Sequence, residues 1–287
     1  MSAPPILWQP SQESIENANL TRFARESIRR WKLKFNTYPE FYRWSVEHPE
    51  QFWVSLWDSL GVIGERGNRA LVDGHRMPGA KWFPEARFNF AENLLKRSDA
   101  GDAMVFWDET GFRSRMSWQQ LHALVSSAQQ AMRAAGVKPG DRVAAFIPNM
   151  PETCVLALAA ISLGAVWSSC SPDFGSSGVL DRFGQIEPKL LFCADGYLYN
   201  DRRHDSLERV REIAARLPCV ERVVVVPNLS PVPEVSAIEG GVRLADWIAP
   251  HAPRALEYER LAFAHPLYIL FTSGTTGVPK CIVHCAG

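Results

Sequence analysis

Between about residues 103 and 271, short apolar runs alternate with stretches of helical periodicity roughly every 20–30 residues, the spacing of βαβ units. This alternation constrains the fold more than any other feature. The runs at 143–147, 165–170, 189–193, 222–226 and 267–271 have strand length and are bounded by turn or charged residues. Between them, Leu121, Leu124, Val125, Ala128, Met132 and Ala135 mark one face of a helix. Ser117 and Gln120 open that helix as a capping box, and Gly136 and Pro139 close it. Further helices are expected at 152–163, after Pro151, and at 177–186. Another opens at Asp205 and Glu208, with Leu207, Val210, Ile213, Ala214 and Leu217 on its core side. Strands alternating with helices in this way argue for βαβ units, whose crossovers return the chain to the same end of the sheet and set the strands parallel. The expected class is therefore α/β, a largely parallel sheet covered by helices. A hairpin at 103–107 and 111–116 precedes it, 227–241 reads as a Pro/Gly-rich loop, and 245–248 as a short helix.

The first hundred residues differ. Six of the ten tryptophans lie here: Trp8, Trp31, Trp44, Trp53, Trp57 and Trp82. Thr37 and Glu40 form a capping box with Pro39 in the first turn, and Pro49 suits the start of the next helix. Phe52, Trp53, Leu56, Trp57 and Leu60 follow at helical spacing, and Gly61 is a natural stop. An aromatic face of this kind reads as core packing. Residues 62–97 hold few periodic signals and many turn residues. The expected division is a helical, aromatic-rich lead-in at 1–97 and a second domain at 98–287.

With 31 basic and 31 acidic residues, the formal net charge is zero, and no surplus points to nucleic acid or anionic lipid. The longest apolar stretch, 154–167, is interrupted by Ser162 and Gly164 and is shorter than the about 20 residues of a spanning helix. Residues 1–10 lack the charged and apolar regions of a secretory signal. Six cysteines are scattered without paired spacing, as expected of reduced thiols in the cytoplasm.

The chemistry concentrates at 272–280. Thr272, Ser273, Gly274, Thr275, Thr276, Gly277, Val278, Pro279 and Lys280 follow directly on an apolar strand. Glycines let backbone N–H groups approach a ligand, hydroxyls donate further bonds, and lysine adds a point charge: a phosphate cradle. The bland alternative is a Ser/Thr/Gly surface turn. The loop is not a Walker A motif, since Pro279 precedes Lys280 where glycine belongs and Cys281 follows it. No G-x-G-x-x-G follows an early strand, so the dinucleotide fingerprint is absent too.

The run 272–280 resembles the signature phosphate loop of adenylate-forming enzymes, which include the acyl-CoA synthetases. The segment Trp82-Phe83-Pro84-Glu85-Ala86-Arg87-Phe88-Asn89-Phe90-Ala91-Glu92-Asn93 is similar to the one that introduces their short-chain branch. Gly164-Ala165-Val166-Trp167-Ser168-Ser169-Cys170-Ser171-Pro172-Asp173-Phe174-Gly175, Leu180-Asp181-Arg182-Phe183 and Lys280-Cys281-Ile282-Val283-His284 resemble the acetoacetate–CoA ligases in particular. The resemblance runs from about residue 35 onward. It implies an incomplete N-terminal domain of an adenylate-forming enzyme, with an AMP-binding (adenylation) domain truncated after the phosphate loop.

What the resemblance implies for chemistry is a two-step activation. The carboxylate of acetoacetate, or of a related short acid such as acetate or propionate, attacks the α-phosphorus of ATP. The thiol of CoA then displaces AMP. Thr272, Ser273, Gly274, Thr275, Thr276, Gly277 and Lys280 would stabilise the departing pyrophosphate, with Lys280 the catalytic cation and Mg2+ bridging the phosphates. Asp173, Phe174 and Gly175 fall where such enzymes approach CoA, and the Asp201-Arg202-Arg203 turn falls where they use arginine on CoA phosphate. A solvated turn is the alternative for Arg202 and Arg203. The resemblance also implies that the groups for adenine and ribose, and a mobile domain with a further lysine, lie beyond 287. The chain alone is then expected to be inactive, or a nucleotide-binding fragment.

Other clusters carry less. Cys281, His284 and Cys285 lack a fourth ligand for a structural zinc, and Ile282 and Val283 read as a strand resuming, so no metal site is expected. Cys154, Cys170 and Cys193 fall in expected core elements and read as inert. The remaining histidines show no partner spacing, and no G-x-S-x-G elbow is present.

Overall fold

The computed structural model describes residues 5–273 and 277–287. Gly274, Thr275 and Thr276 of the loop lie outside the described residues. In chain order, four helices come first: α1 (Gln12–Asn17), α2 (Asn19–Trp31), α3 (Tyr38–Glu47) and α4 (Pro49–Ser59). Four two-residue strands follow, β1 (Gly64–Glu65), β2 (Leu71–Val72), β3 (Lys81–Trp82) and β4 (Arg87–Phe88), then α5 (Phe90–Leu94). The hairpin β5 (Asp102–Asp108) and β6 (Gly111–Ser117) leads into α6 (Trp118–Ala134). Next come β7 (Arg142–Phe146), α7 (Pro151–Ser162), β8 (Val166–Cys170), α8 (Ser176–Ile186) and β9 (Leu190–Ala194). The chain continues through β10 (Gly196–Tyr199), β11 (Arg202–Asp205), α9 (Leu207–Ala215), β12 (Arg222–Val226), β13 (Gly241–Arg243) and α10 (Leu244–Ile248). It ends with β14 (Leu261–Ala262), β15 (Pro266–Phe271) and β16 (Cys281–Cys285).

Two compact units result. One comprises the chain up to Ile63 together with Gly67–Pro84; the other comprises Gly64–Arg66 and Glu85–Gly287. In the first unit, Phe23, Phe35, Phe41 and Trp44 are buried against Ile28, Trp31, Phe52 and Leu56. Phe23 meets Phe41 and Phe52 edge-on, at 6.1 and 5.7 Å between centroids. That geometry suits the quadrupoles of the rings. The indole N–H of Trp31 donates to Ser55 Oγ at 2.7 Å, and that of Trp44 to Gln51 Oε1 at 3.0 Å, so the tryptophans bury their rings without orphaning a donor. The expected capping contact is present, with the Glu40 carboxylate accepting from Thr37 N–H at 3.0 Å.

The second unit is a three-layer sandwich. Its central sheet has the order β13-β12-β9-β7-β8-β15-β16. Every neighbouring pair is parallel except β15 and β16. Val143, Ala145, Leu190 and Phe192 face α6 and α7, while Ala144, Phe146, Leu191 and Cys193 face α8 and α9. Both faces are buried, so these strands read as continuous apolar runs rather than as alternation.

Two features fasten the layers. At the end of α7, Gly164 takes φ +74°, and its N–H and that of Ala165 return to the carbonyls of Ile161 and Ala160, both at 3.0 Å. This is a Schellman closure, which needs the left-handed residue. Beside it, Asn89 is fully buried and caps α5, its Oδ1 accepting from Ala91 N–H at 2.9 Å and Glu92 N–H at 3.4 Å. Its Nδ2 donates the other way, to the carbonyls of Ile161 and Ser162 at 3.2 Å and of Glu259 at 3.0 Å. One amide thus serves the start of one helix, the end of another and the extended segment near residue 259.

Three expectations change. Residues 202–203 do not form a turn: they begin strand β11, paired antiparallel with β10 around Asn200 and Asp201. Both turn residues have positive φ, 52° and 57°, as a two-residue hairpin of right-handed twist requires. Cys154 is exposed rather than part of the core, because it lies on the outer face of α7. The segment beyond the Pro/Gly-rich loop supplies a further parallel strand, β13, beside β12.

Candidate functional site

Three groups of sequence-predicted residues follow the carboxyl ends of parallel strands: 171–175 after β8, the β10–β11 hairpin after β9, and 272–280 after β15. Ligands of open α/β sheets bind along that edge, where loops converge and helix starts are exposed.

The 272–280 segment joins β15 to its antiparallel neighbour β16, with Phe271 opposite Cys281. Its neck is closed by a reciprocal pair. Thr272 N–H donates to the Lys280 carbonyl at 3.1 Å, and Lys280 N–H donates to Thr272 Oγ1 at 3.0 Å. Thr272 is half-buried, Ser273, Gly277 and Lys280 are exposed, and Pro279 is buried. Gly277 has φ +142°, a backbone state that L side chains rarely adopt, although a Cβ there would meet nothing within 4 Å. Conformation, not space, selects glycine. A strand, not a helix, follows the loop, so it ends at no helix start.

Helix α8 supplies two residues to which the sequence assigned no role: Arg182, which lies in one of the resembling runs, and Gln185. Gln185 Nε2 donates to the carbonyl of Pro279 at 2.8 Å, and its Oε1 accepts from Cys281 Sγ at 3.7 Å. Arg182 is buried, and its guanidinium stacks 4.3 Å from the Phe174 ring centroid and 6.0 Å from that of Phe271. It donates to the Gly178 carbonyl at 2.6 Å. The buried arginine thus links the 171–175 loop to the strand that enters the 272–280 loop. One sequence signal existed: with Val179, Phe183 and Ile186, Arg182 sits on the apolar stripe of its helix.

In the 171–175 loop, Asp173 and Phe174 are exposed and Gly175 is the N-cap of α8. Arg209 of α9 holds this loop by its backbone, donating to the carbonyls of Pro172 and Phe174 at 2.8 and 3.1 Å. The β10–β11 hairpin is fastened separately. The Glu109 carboxylate accepts from Asn200 N–H at 3.0 Å and Asp201 N–H at 3.1 Å. Arg203 donates to the carbonyl of Leu229, and Arg202 is exposed on the strand. Thr272, Lys280, Gln185 and Cys281 are therefore bonded into one cluster, and Phe174 joins its edge through Arg182. No hydrogen bond among the described residues ties Arg202 or Arg203 to either loop.

Thiol environments differ sharply. Burial pushes the Cys170 thiol up to about 12 and raises that of Cys193 further, which disfavours thiolate chemistry at both. Among the described residues, no three His, Cys, Asp or Glu side chains gather as a metal cluster, and Cys281–Cys285 form strand β16. No helix among them is long and apolar enough to cross a membrane.

Comparison with known proteins decides the family. The sequence model of the AMP-binding enzymes matches residues 93–287, and that of the acetyl-coenzyme A synthetase N-terminus matches residues 38–94. The chain belongs to the AMP-binding enzyme family. It is 52% identical, over its whole length, to an acetoacetyl-coenzyme A synthetase of Rhizobium meliloti, of which it covers 44%. It is 38% identical to an acetoacetyl-CoA synthetase of Macaca fascicularis, with 98% of this chain and 43% of that one aligned. The solved structure of acetoacetyl-CoA synthetase from Streptomyces lividans superposes with a TM-score of 0.92 at 38% identity, covering 99% of this chain and 44% of that one. The chain thus spans less than half the length of these relatives, and its fold is that of the N-terminal part of an adenylate-forming enzyme.

Proposed function

We propose that the protein is an acid–thiol ligase that activates acetoacetate with ATP and transfers the acyl group to CoA. In the first step a carboxylate oxygen of the acid attacks the α-phosphorus of ATP. The bond to the bridging oxygen breaks, giving the acyl-adenylate and pyrophosphate. In the second, the CoA sulfur attacks the acyl carbon and AMP departs with the bonding pair. The observation that carries this reading is the closed neck of the 272–280 loop, with the backbone of Lys280 bonded both ways to Thr272 at the carboxyl end of β15. A loop so fastened holds donors in advance of the charge that develops on the leaving pyrophosphate, and each such donor is worth about 3 kcal/mol in other enzymes.

In this assignment Thr272, Ser273, Gly274, Thr275, Thr276, Gly277 and Lys280 take the β- and γ-phosphates. Asp173, Phe174 and Gly175 line the approach of CoA, and Arg202 and Arg203 take its phosphates. The structure offers Arg202 more freely than Arg203, whose guanidinium already serves Leu229. Magnesium would come to the site on the nucleotide's phosphates. Six free cysteines suit a reducing, cytoplasmic setting. The boundary near residue 97 remains part of the proposal. The 52% identity to a named acetoacetyl-coenzyme A synthetase supports the choice of acid.

The test offers acetoacetate, acetate and propionate to the catalytically competent protein with ATP and CoA, and follows AMP and thioester. Acetoacetate is expected to give the highest kcat/KM. Preference for acetate or propionate refutes the substrate assignment, and absence of AMP formation with any acid refutes the ligase assignment.

A further inference from the structure

Three consecutive residues at the end of the loop are bonded: Pro279, Lys280 and Cys281. Thr272 holds the backbone of the middle one, and Gln185 holds both of its neighbours. Gln185 reaches from α8 across 94 positions of sequence. It is well suited to this task because a primary amide carries donor and acceptor on one planar group. The donor side serves the Pro279 carbonyl, and it also reaches the Asp181 carbonyl at 2.6 Å within its own helix, which orients the amide. The acceptor side receives the Cys281 thiol. Pro279 has no N–H, so its carbonyl is the backbone polar group by which it can be held. With these three residues fastened, the exposed Lys280 side chain keeps rotamer freedom while its Cα does not.

We propose that Gln185 is a positioning residue for Lys280, setting the height of its ammonium over the phosphate site from a separate layer of the fold. The proposal rests on the reading that Lys280 contacts the phosphates of ATP. Gln185 touches no substrate and acts through the loop. Losing its contacts lets Pro279 and Cys281 shift, and small displacements of charged donors from a developing anion lower their effect steeply. Cys281 is the thiol partner of this clamp.

The test uses the catalytically competent protein and measures kinetic constants for ATP, acid and CoA separately. Gln185→Met keeps chain length and volume while removing both polar partners. Gln185→Glu keeps the acceptor for Cys281 but removes the donor for Pro279, and as a helix-compatible polar residue it guards against loss of folding. Both are expected to raise KM for ATP by about tenfold, or to lower kcat/KM for ATP equally, the effect of about 1.4 kcal/mol, with KM for CoA within twofold. Lys280→Ala serves as reference. If Lys280→Ala leaves the ATP constants unchanged, the phosphate reading itself fails. If Lys280→Ala impairs them but both Gln185 variants stay within twofold of the parent, the positioning role is overturned. In the Lys280→Ala background, Gln185→Met is expected to add nothing; a further tenfold loss there also overturns the proposal, because the glutamine would then act by another route.

Discussion

Replacing Asn89 tests whether one amide holds three segments of the second unit together. Asn89→Ala removes the cap of α5, leaving the N–H groups of Ala91 and Glu92 without their acceptor. On the other side the losses are unequal. The Ile161 carbonyl still receives Gly164 N–H, and the Ser162 carbonyl still receives Glu259 N–H, so the Glu259 carbonyl loses most. Loss of the cap costs about 1 kcal/mol, and the Glu259 carbonyl, on an exposed residue, loses a hydrogen bond of net worth about 1 kcal/mol. A total of about 2 kcal/mol is expected, read from urea unfolding with unchanged m-value. Asn89→Asp sharpens the test. The carboxylate keeps the oxygen that caps α5 but turns its second oxygen towards three carbonyls. That site favours the protonated acid, so its folded pKa rises above the unfolded value of about 3.9. A raised acid pKa means stability that is present at low pH and lost as pH climbs through and beyond that value. Asn89→Asp should therefore be less damaging near pH 4 than at pH 8, where it should approach or exceed the cost of alanine. Parent-like stability of Asn89→Asp at pH 8, with no pH dependence, would mean that the amide faces the other way and that the three carbonyls are satisfied without it.

Gly164→Ala should destabilise by about 1–2 kcal/mol from its left-handed backbone alone, and more because its Cβ would lie 3.0 Å from Leu261 and 3.1 Å from Pro139; a shift of the urea midpoint below about 0.5 kcal/mol counts against the closure of α7. Cys170, with its thiol pushed up to about 12 from 9.0 by burial, stabilises the fold fully below pH 9 and progressively less above it. The loss is about 1 kcal/mol by pH 10, and Cys170→Ala should remove that part of the alkaline slope in a series of urea midpoints. Alkylation mapped by mass spectrometry should label Cys154, Cys281 and Cys285 in the native protein, with Cys170 and Cys193 labelled only after unfolding; rapid native labelling of either buried thiol would contradict the packing of β8 and β9.

The sheet was legible because its strands are buried on both faces, so 143–147, 189–193 and 222–226 stand out as continuous apolar runs whatever their neighbours do. Helix starts at Ser117 and Thr37 were legible because a capping box is local chemistry within four residues. The small sheet β1-β4-β14 was not legible. Its strands have two residues each, too few for a period, and it joins Gly64 with Phe88 and Phe88 with Leu261. The β10–β11 hairpin was concealed differently. Tyr197 and Tyr199 alternate and Asn200-Asp201 is a two-residue turn signal, but the charges of Arg202, Arg203 and Asp205 look like the approach to helix α9. Cys154 misled because an apolar helix resting on a sheet still has an outer face.

The loop showed itself in sequence because its donors are concentrated in nine positions, whereas the groups that fix it are dispersed. Arg182 and Gln185 stand one turn apart on α8, so they emerge on neighbouring sides of the same helix. From there Arg182 reaches Phe174 and Phe271, and Gln185 reaches Pro279 and Cys281. No local spacing rule relates residue 185 to residue 279; only the crossover that carries α8 over the sheet between β8 and β9 does. The parallel sheet brings the carboxyl ends of β8 and β15 side by side. There the buried Arg182 links the 171–175 loop to β15, and Gln185 of the same helix holds the far end of the 272–280 loop.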